Sequence, residues 1–276
     1  MMSRFCAAPD AADIHKKSVF IFDLDGTLWL GGVVFEGVVE AIKEIRRLGK
    51  QPLFLTNNSS SSRAEYFRRL SQLQLCENPS EIVMSTDSVI SYLASRGHTR
   101  PFILGTPAMK LMCAEAGIHH EEDPSHVSVV VIGFDTTSTA EKLTQAAQLI
   151  AKGIPYIVAH PDRFCPSTAG PIVDCGAYYA CIKAATGKEA VAILGKPSPT
   201  MIEEVEKRVC AGRHEMVIVG DRLLTDIALG HRAKISSILV LTGESSIQEA
   251  ESSLEPPTWI VPSVADLFPP PSTTIW

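Results

Sequence analysis

The sequence predicts an α/β protein: a parallel-sheet core with a second, smaller α/β domain inserted into it. Three observations carry this. Runs that are apolar at every position, such as Val19-Phe20-Ile21-Phe22 and Pro52-Leu53-Phe54-Leu55, fit strands buried on both faces of a sheet. Helix-spaced apolar residues alternate with such runs at both ends of the chain, which is the pattern of parallel βαβ units. The middle of the chain, 98–187, repeats the alternation on its own and reads as the insert.

The 276 residues allow about two domains at roughly 150 residues each. With 45% hydrophobic and 20% charged residues, the chain is not a disordered one. Its formal net charge of −6 and the lack of a basic stripe argue against a nucleic-acid binder. An acidic chain that handles an anion needs a local positive charge. The seven cysteines, at 6, 76, 113, 165, 175, 181 and 210, form no Cys-x-x-Cys pair, so neither a zinc site nor a disulfide framework is signalled. The opening segment is broken by Pro9, Asp10 and Asp13 and makes a poor signal peptide, and no apolar run is long enough for a membrane span. A cytoplasmic protein with reduced thiols is expected.

Taken in order, 1–17 reads as a loose arm. The first strand ends at Asp23. Val38, Val39, Ile42, Ile45 and Leu48 then mark a helix, with Gly49 as its stop. The second strand ends at Thr56. Helices are expected over 63–73 and 86–95, strands over 102–105 and 127–133, a helix through Leu143, Ala146, Ala147 and Ile150, and a strand over 154–159. The stretch 160–174, rich in Pro, Gly and Asp, reads as loop, and 176–186 as helix. Near the end come strands at 191–194, 216–219, 238–241 and 259–261, with Met201, Ile202, Val205 and Val209 on one helical face. The proline-rich tail reads as irregular. The core is therefore expected at 18–97 and 188–268, the insert at 98–187, and irregular tails at 1–17 and 269–276.

In open parallel sheets, ligands bind beyond the carboxyl ends of the strands. Four strand ends carry polar residues: Asp23, Thr56, Lys196 and Asp221. If their strands share one sheet, these residues meet at one edge. In Asp23-Leu24-Asp25-Gly26-Thr27 two carboxylates crowd a tight turn, and a hard divalent cation such as magnesium relieves such crowding. The alternative is a polar strand-to-turn boundary. In Gly220-Asp221-Arg222-Leu223-Leu224-Thr225-Asp226, Asp221 can complete a metal shell and Asp226 can support it from behind, or Asp226 can simply cap a helix. Thr56-Asn57-Asn58 offers a hydroxyl and amides suited to a phosphate oxygen, or a plain Asn/Ser turn. Lys196, between Gly195 and Pro197, is the candidate positive charge, or a solvated loop lysine.

The ordered set Asp-x-Asp-Gly-Thr, Thr-Asn-Asn, Gly-Lys-Pro and Gly-Asp-x4-Asp resembles the haloacid dehalogenase superfamily of phosphohydrolases, and within it the NagD or 4-nitrophenyl phosphatase type. The similarity runs from about Ser18 to Leu267. It implies a Rossmann-like core with a cap. Only 33 residues separate Asp23 from Thr56, whereas 140 separate Thr56 from Lys196, so the insert falls between the second and third motifs. A family cap element, usually Thr-Asn-Pro-Asp, appears as Ala159-His160-Pro161-Asp162. A later one, often Pro-Gly-Ala-Gly-Ser, appears as Asp174-Cys175-Gly176-Ala177-Tyr178.

The resemblance implies a magnesium-dependent phosphatase for small phosphomonoesters such as 4-nitrophenyl phosphate, nucleoside monophosphates, pyridoxal phosphate or phosphoglycolate. Asp23 is the implied nucleophile and Asp25 the implied general acid and base. Asp23, the backbone carbonyl of Asp25, and Asp221 are the implied Mg2+ ligands, supported by Asp226. Thr56, Asn57, Asn58 and Lys196 are the implied phosphate contacts, with His160 and Asp162 as candidate substrate contacts in the cap. A homodimer formed through the cap is also implied, with no nucleic-acid or membrane partner. A phosphoryl transferase, a pyrophosphate or P–N hydrolase, and a non-catalytic metabolite-binding regulator stay open as alternatives.

Overall fold

The structure, a computed structural model, describes residues 11–165 and 169–268. The first ten residues of the expected arm and the expected tail at 269–276 lie outside the described residues. The chain divides into two compact units: Met1–Leu55 with Phe67–Ile82 and Val205–Trp276, and Thr56–Tyr66 with Val83–Glu204. The expected boundaries at 98 and 187 both fall inside the second unit.

The first unit contains, apart from Thr56, Val83 and Met84, a six-stranded sheet in the order Trp259–Val261, Ser236–Val240, Met216–Gly220, Val19–Phe22, Gln51–Thr56, Ile82–Met84. The strand Val19–Phe22 is central. It pairs in parallel with Met216–Gly220 on one side and Gln51–Thr56 on the other, with Phe22 opposite Val219 and Phe54. All four of its side chains are buried, as an uninterrupted apolar run requires when both faces are covered. Burying each such side chain contributes roughly 1.5–3 kcal/mol. The helix Val38–Arg47 turns Val38, Ala41, Ile42 and Ile45 inward at helical spacing and stops at Gly49, whose φ of 71° a residue with a Cβ adopts at a cost.

The second unit carries a four-stranded sheet in the order Ala192–Ile193, Tyr156–Val158, Val130–Ile132, Phe102–Leu104, with every pair parallel. The helices Pro107–Glu115, Ala140–Ala151 and Cys175–Thr186 pack on it around a core that includes Met109, Ile132, Leu149, Tyr156 and Ile182. The α/β class and the separate second sheet are thus as predicted.

Several local expectations are corrected. The strand before Lys196, Ala192–Ile193, joins the four-stranded sheet beside Tyr156–Val158, so the four polar strand ends do not share one sheet. An apolar run signals burial but says nothing about which sheet buries it. Part of the expected loose arm is a short helix, Ala11–His15, with Ile14 buried. The expected loop 160–174 contains an antiparallel pair, Phe164–Cys165 with Ile172–Val173, and a second small pair joins Trp29–Leu30 to Val33–Val34. Ile82–Met84, a short strand missing from the sequence reading, closes one edge of the six-stranded sheet.

Candidate active site

In the first unit, the central strand delivers Asp23 just past its carboxyl end, where the Asp23 N–H still donates to the Val219 carbonyl at 2.9 Å. The neighbouring strand delivers Asp221 in the same way, and a π-helical turn over Leu223–Ile227 brings Asp226 back toward it. Such turns recur at functional sites because the extra residue redirects a side chain. The carboxylates of Asp23, Asp221 and Asp226 each offer an oxygen within 4.8 Å of the others, and all three residues are buried.

The backbone closes tightly around Asp221. A Cβ placed on Gly26, which has φ of 86°, would lie 2.4 Å from Asp221 Oδ2, and one on Gly243 would lie 1.9 Å from it. Both positions therefore require glycine. The Asp221 carboxylate accepts the Glu244 N–H at 2.8 Å and the Thr27 hydroxyl at 3.3 Å. The Asp226 carboxylate accepts the Arg222 N–H and the Thr225 hydroxyl, each at 3.3 Å. Two like charges at such a separation repel by on the order of 3 kcal/mol at an effective dielectric of about 20. An all-oxygen, all-acid donor set drawn this close fits a hard divalent cation.

Asp25 lies beside this cluster. Its residue is solvent-exposed, but protein atoms crowd its carboxyl. That loss of hydration raises its pKa above the ordinary range. The Trp29 indole N–H, which donates to Asp25 Oδ1 at 2.7 Å, pulls the other way, as do Arg69 and Arg222, while the charge of Asp23 adds to the rise. Arg69 stacks over the Trp29 ring at 4.5 Å and keeps the indole in place.

In the second unit, Thr56 opens a turn in which its hydroxyl accepts the Asn58 N–H at 3.1 Å. The Asn58 side chain is used by the turn itself, accepting the N–H groups of Ser60 and Ser61. The Asn57 carboxamide is a backbone clamp. Its Oδ1 accepts the Lys196 N–H at 2.6 Å, while its Nδ2 donates to the Lys196 carbonyl at 3.1 Å and to Asp162 Oδ2 at 3.0 Å. Lys196 is buried, not a solvated loop lysine. Asp162 is half-buried, and burial alone would raise its pKa. The neighbouring His160, the Asn57 hydrogen bond and the charge of Lys196 outweigh that and hold it below the usual carboxylate range. His160 is fully buried.

The structure thus brings Asp23, Asp221 and Asp226 together with Asp25 alongside, and separately groups Asn57, Lys196, Asp162 and His160. Missing from the sequence reading were the Gly243–Glu244 backbone at Asp221, the Thr242 hydroxyl that donates to the Gly26 carbonyl at 2.6 Å, and Asp174 beside His160. Thr27 and Asp174 stood inside motifs already singled out. The 242–244 segment carries no signal of its own.

Two family descriptions match this chain: haloacid dehalogenase-like hydrolase over residues 20–119, and HAD-hydrolase-like over residues 193–267. The sugar-phosphatase AraL of Bacillus subtilis is 31% identical over 248 residues, which is 90% of this chain and 90% of that protein. The chain belongs to the haloacid dehalogenase-like hydrolases. The 4-nitrophenylphosphatase of Thermotoga maritima superposes with a TM-score of 0.87 at 36% identity, over 92% of this chain and 97% of that one. A glycerol phosphate phosphatase from Mycobacterium tuberculosis, solved in complex with magnesium, superposes with a TM-score of 0.85 at 29% identity, over 93% of this hydrolase and 78% of that chain. Among the described residues no helix is long and apolar enough to cross a membrane.

Proposed function

We propose that this hydrolase removes phosphate from small phosphomonoesters, with Mg2+, through a phosphorylated Asp23. The buried cluster of Asp23, Asp221 and Asp226 carries the reading, because three acids drawn this close suit a cation and an anionic substrate that shares it. The relatives, phosphatases for sugars, 4-nitrophenyl phosphate and glycerol phosphate, support small esters as the substrate class.

Asp23, the Asp25 backbone carbonyl and Asp221 would hold the cation, with Asp226 close enough to support or share it. Bound there, it would lower the charge that opposes an approaching phosphate. Asp23 attacks phosphorus, and the leaving oxygen takes its proton from Asp25. Asp25 then accepts a proton from the water that opens the aspartyl-phosphate. A raised pKa suits this double role, since the group must be protonated in one half-reaction and ionised in the other. Thr56, the Asn57 backbone amide and Lys196 bind the remaining phosphate oxygens. The insert at 98–187 sets substrate choice in this reading. Phosphoryl transfer asks mainly for positioning and charge stabilisation, which this set supplies.

The test is phosphate release from 4-nitrophenyl phosphate, nucleoside monophosphates, pyridoxal phosphate, phosphoglycolate and pyrophosphate, with magnesium and with a chelator. Turnover that survives Asp23→Asn or the chelator overturns the reading.

A further inference from the structure

Two segments that depart from the family's usual residues, Ala159-His160 and Asp174-Cys175, meet in the interior of the second unit. The His160 ring is fully buried between two carboxylates, with Nδ1 3.5 Å from Asp162 Oδ2 and Nε2 3.6 Å from Asp174 Oδ1. Nδ1 makes no hydrogen bond of good geometry. The buried Ser59 hydroxyl lies 3.5 Å from Nε2 and accepts the Phe134 N–H at 2.8 Å.

The backbone leaves no slack around this ring. A Cβ on Gly195 would lie 2.6 Å from the His160 Cβ and 2.8 Å from Asn57 Oδ1. One on Gly176 would lie 2.1 Å from the Pro161 carbonyl oxygen, and the Gly176 N–H donates to the Asp162 carbonyl at 2.7 Å. Asp174 caps the helix Cys175–Thr186, accepting the Cys175 N–H at 2.5 Å. The chain of contacts therefore runs from the helix cap through His160 to Asp162, from Asp162 to the Asn57 carboxamide, and from Asn57 to both backbone groups of Lys196.

We propose that His160 and Asp174 form one coupled pair and that His160 is a positioning residue. It seats Asp162 against Asn57 and so fixes the Gly195-Lys196 segment. His160 is fully buried and acts through Asp162, not on the substrate. The role as a phosphate-positioning device rests on the phosphatase reading above, whereas the coupling of the pair does not.

The experiment uses His160→Asn, Asp174→Asn and the double variant of the full chain. Asn at 174 can still cap the helix while removing the charge. Urea unfolding gives the coupling without any activity. The expected result is that the double variant loses clearly less stability than the sum of the two single variants, as contacting residues do. Steady-state hydrolysis of 4-nitrophenyl phosphate gives the positioning. Each single variant is expected to raise KM, and the inhibition constant of inorganic phosphate with it, by roughly fivefold, while kcat stays within about twofold. Additive stability losses overturn the pair. Coupled losses with unchanged KM and phosphate inhibition overturn the positioning role. A wild-type protein with no turnover on any ester overturns the phosphatase reading and the positioning role with it, and the unfolding cycle still decides whether the pair exists.

Discussion

The indole N–H of Trp29 donates to Asp25 Oδ1 at 2.7 Å, four residues along the same turn, and Trp29 itself is fully buried. A hydrogen bond to the ionised carboxylate favours that form, so Trp29 restrains a pKa that lost hydration pushes upward. Asp25 has a proton to give a leaving group only below its pKa. Trp29→Phe is therefore expected to move the alkaline limb of the kcat/KM profile up. An alkyl phosphate that the enzyme turns over is the substrate to use, because its poor leaving group needs the proton. A limb that moves down, or stays put, separates Trp29 from Asp25.

The same raised pKa makes Asp25 costly to the fold. A carboxyl whose pKa is higher in the native state than in the unfolded chain favours folding below the unfolded pKa, and that benefit is lost as pH rises through the native pKa. At neutral pH the ionised group thus opposes folding, by an amount solvent access keeps small. Asp25→Asn is expected to abolish turnover and raise the thermal midpoint at pH 7 by about 2 °C. The gain should shrink as pH falls through the native pKa and vanish below the ordinary value of 3.8. A lower midpoint at pH 7 would contradict the direction of the shift.

Magnesium should stabilise the protein through the three clustered acids. A ligand at about 100 times its Kd adds about 2.7 kcal/mol, which for a chain of this size is roughly 5 to 10 °C. Asp23→Asn and Asp221→Asn are each expected to remove most of the magnesium-dependent rise. In chelator, Asp23→Asn should cost little stability, since it relieves repulsion within the cluster. Differential scanning calorimetry with and without magnesium reads both. An undiminished magnesium shift in both variants would place the cation elsewhere.

Much of this fold can be read from residues. Phe20, Ile21 and Phe22 announce a doubly buried strand, and Asp23, the polar residue that breaks the run, marks where a carboxylate can sit at the sheet edge. The sheet that receives Ala192–Ile193 could not be read, because burial pattern is local and strand pairing is not. Ile82–Met84 is three residues long and directly precedes the helix Ser85–Ser95, so no period develops in it. The meeting of His160 with Asp174 spans a hairpin, and the clamp of Asn57 on Lys196 spans far more chain, so neither spacing carries information. What sequence shows is residue types and their order. What it omits is which polar side chains hold the protein's own backbone instead of a ligand, as Asn57 and Asn58 do.

A last prediction concerns the first unit away from its acids. Arg46, on the helix Val38–Arg47, forks onto Glu81 at 2.7 and 2.8 Å and donates to the Leu75 carbonyl at 2.9 Å. Burial alone would raise the Glu81 pKa, but the Arg46 hydrogen bonds, the Glu77 N–H and the charge of Arg46 together hold it below the usual range. Removing Arg46 would leave a buried carboxylate without its cation, which typically costs about 3 to 5 kcal/mol. Arg46→Ala is therefore expected to lower the thermal midpoint at pH 7 by roughly 10 °C. Glu81 has a lowered native pKa, so its stabilisation is present above the unfolded pKa and is lost as pH falls through the native one. The gap between wild type and Arg46→Ala should accordingly narrow as pH falls below about 4, when Glu81 takes up a proton in the variant first. Thermal scans across that window check both the size and the sign, and a gap that does not narrow toward acid would mean that Arg46 acts through packing and not through the charge of Glu81.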